Sequence, residues 1–287
     1  MRALLAVLAL LASDAAVAQL DFGRLINKTL ETGKKLAEAN RDFTTDEEID
    51  LGNGITAGFL GATKLHPNQG LQRYVSRVGK WVALHSERAD LPWNFGVIDE
   101  ESINAFAMPG GSVLVSYGLV RRLQSESELA GVLAHEVAHV VRKHQLAAIQ
   151  SSLNSEVLAG FGKEAAGRAI GRRGDVMGLG SKAANAGVDA LKNGIFLKPL
   201  DRSMEYDADR MAVVIAARSG YDPYGLVAVM QMLAQTKGDG SGTSIFDTHP
   251  SPTDRLGELE GFVPATLERY ASQPRLEARF QQAAGIR

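Results

Sequence analysis

The chain has 287 residues, with 31 basic and 33 acidic side chains, 45% hydrophobic residues, 30 glycines and no cysteine. That length and apolar share suffice to bury one sizeable core and exclude disordered, collagen-like and disulfide-stapled classes. A formal net charge of -2 gives no bulk electrostatic reason to expect nucleic acid, so any partner preference has to come from a local site.

Arg2 is followed by an apolar run from Ala3 to Ala12 and then by Ala16-Val17-Ala18-Gln19, which places small residues at the two positions a signal peptidase reads. The run falls short of the roughly 20 apolar residues that span a bilayer. Residues 1–18 are therefore expected to be a signal peptide cleaved after Ala18, and residues 19–287 a single domain. Without a cysteine, an exported form is not expected to be a lipoprotein. Beyond this segment the pattern is mostly helical. Phe22, Leu25, Ile26 and Leu30 recur at helical spacing. Thr45-Asp46-Glu47-Glu48 reads as a capping box opening a helix through Ile49, Ile55 and Phe59. Asn68 to Arg88 reads as another, with Leu71, Val75, Val78 and Val82 on one face. The period then changes. Trp93 to Asp99, Asn104 to Met108 and Ser112 to Ser116, the last two separated by a Pro109-Gly110-Gly111 turn, read as short strands.

The chemistry begins directly after them. Ser125-Glu126-Ser127-Glu128 is a capping box, and it opens a helix carrying Leu129, Val132, Leu133, Val137 and Val140. Within that helix stands His135-Glu136-Val137-Ala138-His139. Residues four apart share a helix face, so both imidazoles can hold one zinc ion, while Glu136 is displaced around the helix and flanks the metal as a candidate general base. His144, five residues after His139, would lie about 140° around a continuing helix and so off the metal face; it reads as support behind the site or as surface. A catalytic zinc needs a third protein ligand. Downstream, Glu205 and Asp209 are spaced at i, i+4 on a further helix. Glu205 can complete a His-His-Glu set, Asp209 can reach back to a ligand imidazole and fix its tautomer, and Asp207 points elsewhere.

His135-Glu136-x-x-His139 followed by Glu205-x-x-x-Asp209 resembles the HtpX-type, CAAX prenyl protease-like zinc metallopeptidases, a gluzincin group. The resemblance runs from about Thr44 to Leu259. Asn104-Ala105-Phe106-Ala107-Met108-Pro109-Gly110-Gly111 resembles the edge strand that holds extended substrate in these enzymes, and Thr248-His249-Pro250 followed by Arg255 resembles the family's downstream His-Pro segment. The resemblance implies an α+β, mainly helical gluzincin fold with a small sheet beside the zinc-binding helix. It also implies one Zn2+ per chain held by His135, His139 and Glu205, with Glu136 as the base and peptide hydrolysis as the reaction. In that context His249 either donates to the developing oxyanion or swings onto the zinc as a fourth ligand, in each case through Nε2. Arg255 pairs with a carboxylate near the site or lies on the surface.

The exported branch of the family implies a periplasmic metalloendopeptidase acting on extended or misfolded envelope proteins in outer-membrane quality control. The alternative is a zinc-binding, chaperone-like assembly factor whose site is blocked by His249. Residues 144–200 are rich in Ala and Gly and carry seven basic against four acidic residues between Gln150 and Leu200. Lying between the second and third ligands, they read as a lid, an oligomer contact or a surface for peripheral contact with anionic lipid. No membrane span is expected there. Leu267, Tyr270, Leu276 and Phe280 suggest one closing helix, with no room for the tetratricopeptide domain of some exported relatives.

Overall fold

The structure, a computed structural model, describes residues 42–153, 200–236, 249, 251–262 and 265–285. The expected signal peptide, the helix around Phe22 to Leu30 and residues 154–199 of the Gly-rich stretch lie outside the described residues.

Helix α1 (Thr45–Ala62) starts one residue earlier than its sequence signal suggests. Thr44 is the N-cap, its hydroxyl accepting from Glu47 N–H while the Glu47 carboxylate accepts from Thr44 N–H at 3.0 Å. Either threonine can cap. Glu48 is unavailable for the Thr45 box because it is buried and accepts from Nη1 and Nη2 of Arg88, at 2.8 and 3.0 Å. Helix α2 (Gln69–Ala83), capped by Asn68, stops before Arg88. The chain turns there, with the Ser86 hydroxyl on the Ala83 carbonyl, and so delivers Arg88 to Glu48.

Strands β1 (Asn94–Ile98), β2 (Ala105–Met108) and β3 (Ser112–Ser116) form one sheet in the order β1-β3-β2, with β1 parallel and β2 antiparallel to β3. Alternation along β2 and β3 builds two cores. Ala105, Ala107, Val113 and Val115 join the main core with Leu71, Val75, Leu133 and Val137. Phe106, Met108 and Leu114 face the other way, onto Phe43, Ile55 and Phe59. α1 therefore covers one face of the sheet, while α2 and the helix that carries His135 and His139 cover the other.

After a short helix α3 (Tyr117–Val120), that helix, α4 (Glu126–Val141), runs through the centre of the molecule, buried from Glu126 to Val140. Helices α5 (His144–Leu153), α6 (Arg202–Arg218), α7 (Gly225–Gln235), α8 (Pro252–Phe262), α9 (Ala265–Glu268) and α10 (Glu277–Ala284) follow. The α+β, mainly helical class expected from the sequence is what is found. The single closing helix is not: α9 and α10 are separate, because Pro274 disfavours helix in the residue before it and Leu276 adopts a left-handed φ of 57°. Among the described residues no helix is long and apolar enough to cross a membrane.

α4 is held at both ends. At its start, Ser125 caps Glu128 N–H as expected, but the Glu128 carboxylate reaches past Ser125 to the N–H of Gln124 at 2.7 Å. Glu126, 1% exposed, accepts from the hydroxyls of Tyr74 and Tyr221 at 2.5 and 2.7 Å and from Arg279 on α10. At the other end Arg88 donates to the Val140 carbonyl at 3.3 Å while holding Glu48, whose Oε1 also accepts from Gly110 N–H at 3.2 Å. One ion pair thus fixes the end of α4 and the β2–β3 turn together.

Burial opposes the charge on Glu126, but Arg279 and the two tyrosine hydroxyls outweigh it, so its pKa lies below the usual 4.5. A carboxyl whose folded pKa is depressed adds stability above its unfolded pKa and loses that contribution as pH falls through the folded value. Glu126→Gln is expected to destabilise the protein by about 1–3 kcal/mol at pH 7. Urea titrations at falling pH should show that difference shrinking across the acid range below about 4.5.

Candidate metal centre

His135 and His139, one turn apart on α4, bring their Nε2 atoms within 3.0 Å of each other. Glu205, in the first turn of α6, presents its carboxylate to both, with Oε2 3.5 Å from His135 Nε2 and Oε1 3.5 Å from His139 Nε2. His249 closes the cluster with Nδ1 2.7 Å from Glu205 Oε2. The nitrogen expected to face the centre was Nε2; the ring turns Nδ1 to the carboxylate instead. The four side chains offer one ligand atom each within 4.8 Å of one another, and all four are buried.

This donor set fits a metal ion. His135 Nδ1 lies 2.9 Å from Asp209 Oδ1, so the neutral ring that a metal requires keeps its proton on Nδ1 and its lone pair on Nε2, aimed at the centre. The Glu205 carboxylate adds a negative charge, and its Oε1 is buried without a hydrogen-bond partner among the described residues. Lone pairs packed this closely repel unless a cation or protons sit among them. Two imidazoles and a carboxylate, with a fourth donor in reach, are the ligand types zinc takes.

Asp209 therefore stands behind His135, as its position one turn after Glu205 suggested. Arg255, for which a surface place was equally open, is 4% exposed and grips Asp209 through Nε and Nη2 at 2.8 and 2.5 Å. Burial resists the charge on Asp209, but Arg255 overcomes it and holds the carboxyl below its usual range. Burial and Arg255 likewise oppose protonation of His135, yet the Asp209 hydrogen bond and charge, with Glu205, push its pKa up to about 9. Burial works against ionised Glu205 too; the charges of His249 and His139 keep its pKa well below normal. Glu136, 2% exposed, has its pKa raised chiefly by burial.

β2 packs against α4 with its second edge unpaired by any strand among the described residues. The Asn104 carbonyl accepts from Ser116 N–H at 2.9 Å. In an antiparallel ladder this turns the N–H and C=O of Phe106 and Met108 towards β3 and those of Ala105 and Ala107 away from it. Asn104 Oδ1 accepts from Ala105 N–H at 2.9 Å. All five residues from Asn104 to Met108 are buried as whole residues, so the outward N–H and C=O groups of Ala105 and Ala107 are covered in this structure.

Of the two places open to His144, support behind the site is the one found, though its partner, like those of Asp207, was not legible in the sequence. His144 is buried, and its Nδ1 lies 3.0 Å from Nδ1 of His139. Asp207, expected to point elsewhere, pairs with Arg142 Nε at 2.9 Å and places Oδ2 3.8 Å from His144 Nε2. Both depend on how the chain leaves α4, which spacing alone does not reveal.

Comparison with known proteins gives the same reading. Residues 69–263 match the model of peptidase family M48. The chain is 27% identical over 226 residues to the beta-barrel assembly-enhancing protease of Escherichia coli K12, covering 77% of this chain and 44% of that protein. It is 30% identical over 204 residues to the mitochondrial metalloendopeptidase OMA1 of Schizosaccharomyces pombe, covering 69% and 55%. Against the metalloprotease YcaL of Escherichia coli K12 it is 30% identical over 188 residues, covering 65% and 69%. The chain thus spans about half the length of the first two. Every member of the cluster, together with Glu136, Asp209, Arg255 and β2, falls inside the matched segment, and the chain belongs to peptidase family M48, the zinc-dependent metallopeptidases of the gluzincin type.

Proposed function

We propose that this protein is an exported metalloendopeptidase of envelope protein quality control, in which His135, His139 and Glu205 hold one Zn2+. The observation that carries this reading is the buried convergence of those three donors beside Glu136. Zinc, when bound, lowers the pKa of a water towards about 7 and polarises a carbonyl. Glu136, flanking the donors, would take a proton on its carboxylate from an attacking water and return it to the leaving amine. Its burial-raised pKa suits a group that must accept and release a proton in one turnover. Asp209 fixes the His135 tautomer, and Arg255 keeps Asp209 ionised.

Once the outer edge of β2, buried in this structure, is uncovered, an extended polypeptide adds as a strand along Asn104 to Met108 and is held by main-chain hydrogen bonds with little regard for sequence. Such recognition suits unfolded or misassembled envelope proteins. The printed name of the beta-barrel assembly-enhancing protease and the export pattern of residues 1–18 support a periplasmic place in outer-membrane quality control, and the exported branch of the family is favoured over a prenyl-protein processing role. The signal peptide, the single-domain organisation of residues 19–287 and a lid, oligomer or peripheral membrane role for residues 144–200 belong to the same proposal.

A second reading has an observation of its own. His249 sits 2.7 Å from Glu205 and converges with the other three donors. That placement favours a resting state in which His249 is the fourth ligand, with the protein binding clients until the ring is displaced.

Casein cleavage by the purified protein, with zinc determined on the same samples, tests these assignments. Glu136→Gln is expected to keep its zinc and lose at least about 100-fold in rate; retained cleavage at equal zinc removes Glu136 as the base. His249→Ala should cut faster than wild type if His249 blocks the site, whereas a fall of about 100-fold or more reassigns it to the oxyanion. Ala107→Pro deletes an N–H that faces away from β3, so kcat/KM should drop about tenfold with zinc content unchanged. Unaltered kcat/KM in that variant removes β2 as the substrate strand.

A further inference from the structure

Each ligand imidazole on α4 has one nitrogen turned to the cluster and the other turned away from it. For His135 the outward nitrogen meets Asp209, which Arg255 holds. For His139 the outward Nδ1 meets Nδ1 of His144 at 3.0 Å, in a contact where both rings are buried. A metal on Nε2 requires the proton of His139 on Nδ1, so Nδ1 donates and His144 Nδ1 accepts. That in turn leaves the His144 proton on Nε2, the nitrogen that faces Asp207 Oδ2 at 3.8 Å. Asp207 is fixed by Arg142 Nε at 2.9 Å. Two parallel chains therefore run back from the ligands on α4 to carboxylates on α6, and α6 also supplies Glu205.

His144 reaches this place by an unusual backbone step. If α4 continued, His144 would point about 140° away from His139. Instead α4 ends at Val141, with Arg142 capping it in the right-handed region, and Lys143 adopts a left-handed φ of 59°. That conformation is disfavoured for a residue with a Cβ and is retained only where the surroundings enforce it. The Lys143 N–H still bonds the Val140 carbonyl at 3.1 Å, its ammonium lies 3.7 Å from Glu48 Oε2, and α5 starts at once with His144. The strained residue is the one that turns His144 back onto His139.

We propose that His144 is a positioning residue of the metal centre: presented by the left-handed Lys143, it accepts the His139 Nδ1–H and fixes that ligand's tautomer and ring orientation. The inference rests on the ligand assignment proposed above.

Zinc affinity of the full chain, measured by competition with a chromophoric chelator and paired with the melting temperature of the zinc-free protein, tests it. His144→Leu should weaken zinc binding about 10–100-fold. His144→Asn, which keeps an acceptor, should recover most of the loss, and the affinities should not follow the zinc-free melting temperatures. Lys143→Gly and Lys143→Val both delete the ammonium but differ in tolerance of positive φ. The glycine variant should bind zinc like wild type and the valine variant should weaken as His144→Leu does. This pair keeps His144 and decides the matter if His144→Leu does not fold. Wild-type affinity in His144→Leu, or equal affinities in the two Lys143 variants, overturns the proposal. A wild-type protein that binds zinc no better than His135→Ala overturns the ligand assignment itself, a result distinct from tight wild-type binding with an indifferent His144.

Discussion

The Arg255 guanidinium clamps Asp209, Asp209 orients His135, and His135 with His139 and Glu205 surrounds a centre that water scarcely reaches. Arg255, Asp209, Glu205, His135, His139 and Glu136 are each at most 4% exposed. Unpaired, any one of these charges would cost several kcal/mol, as is usual for a single buried ion. In combination the cationic and anionic groups alternate, and a divalent ion supplies the positive charge that the Glu205 carboxylate and the ring lone pairs call for. The fold reads as a means of bringing these groups to one buried point from α4, α6, the segment at His249 and α8.

That convergence brings α4 and α6 into direct packing. Ala134 and Ala138 on α4 and Ala208 and Ala212 on α6 are fully buried, and small side chains there let the two helices lie side by side near the ligands. Gly131 serves the contact with α7, since a Cβ on it would come within 2.6 Å of the Leu226 nitrogen. Gly225 does the same from the other side, where a Cβ would lie 2.2 Å from the Ser127 carbonyl oxygen. With α4 pinned by Glu126 at its start and by Arg88 at its end, the ligand turn has little room to shift along or around its axis. Precision at the site therefore derives from residues that carry no chemistry of their own.

The sequence made the strongly periodic and locally determined features legible. The helix of His135 and His139, the three strands, the i, i+4 pair of Glu205 and Asp209 and the α+β class all follow from spacing and caps that act within a few residues. What escaped depends on chain reversals or on competition between equivalent groups. Thr44 displaced Thr45 as cap because Glu48 had a partner 40 residues away in the chain. Pro274 divided the closing helix. Lys143 entered a left-handed conformation that no lysine advertises, so the contact of His144 with His139 was invisible to helical geometry. The burial of Arg255 likewise depended on α8 packing against α6, which a lone arginine downstream of a His-Pro pair does not reveal.

The same geometry bears on how such a site would be controlled. A peptidase has to admit both water and an extended chain, yet Glu136 is 2% and His249 7% exposed, and the His249 ring lies against the third donor. β2 packs against α4 through Ala105 and Ala107, so the strand proposed to receive substrate and the buried donors belong to one core. Of the four converging donors, three stand on the regular helices α4 and α6, whereas His249 stands outside any helix, just before α8. A donor that stands off the helices can leave without moving a continuous helix face. Under the second of the proposed readings, the helices hold the metal and His249, which stands off them, is the donor whose displacement opens it to water and to substrate.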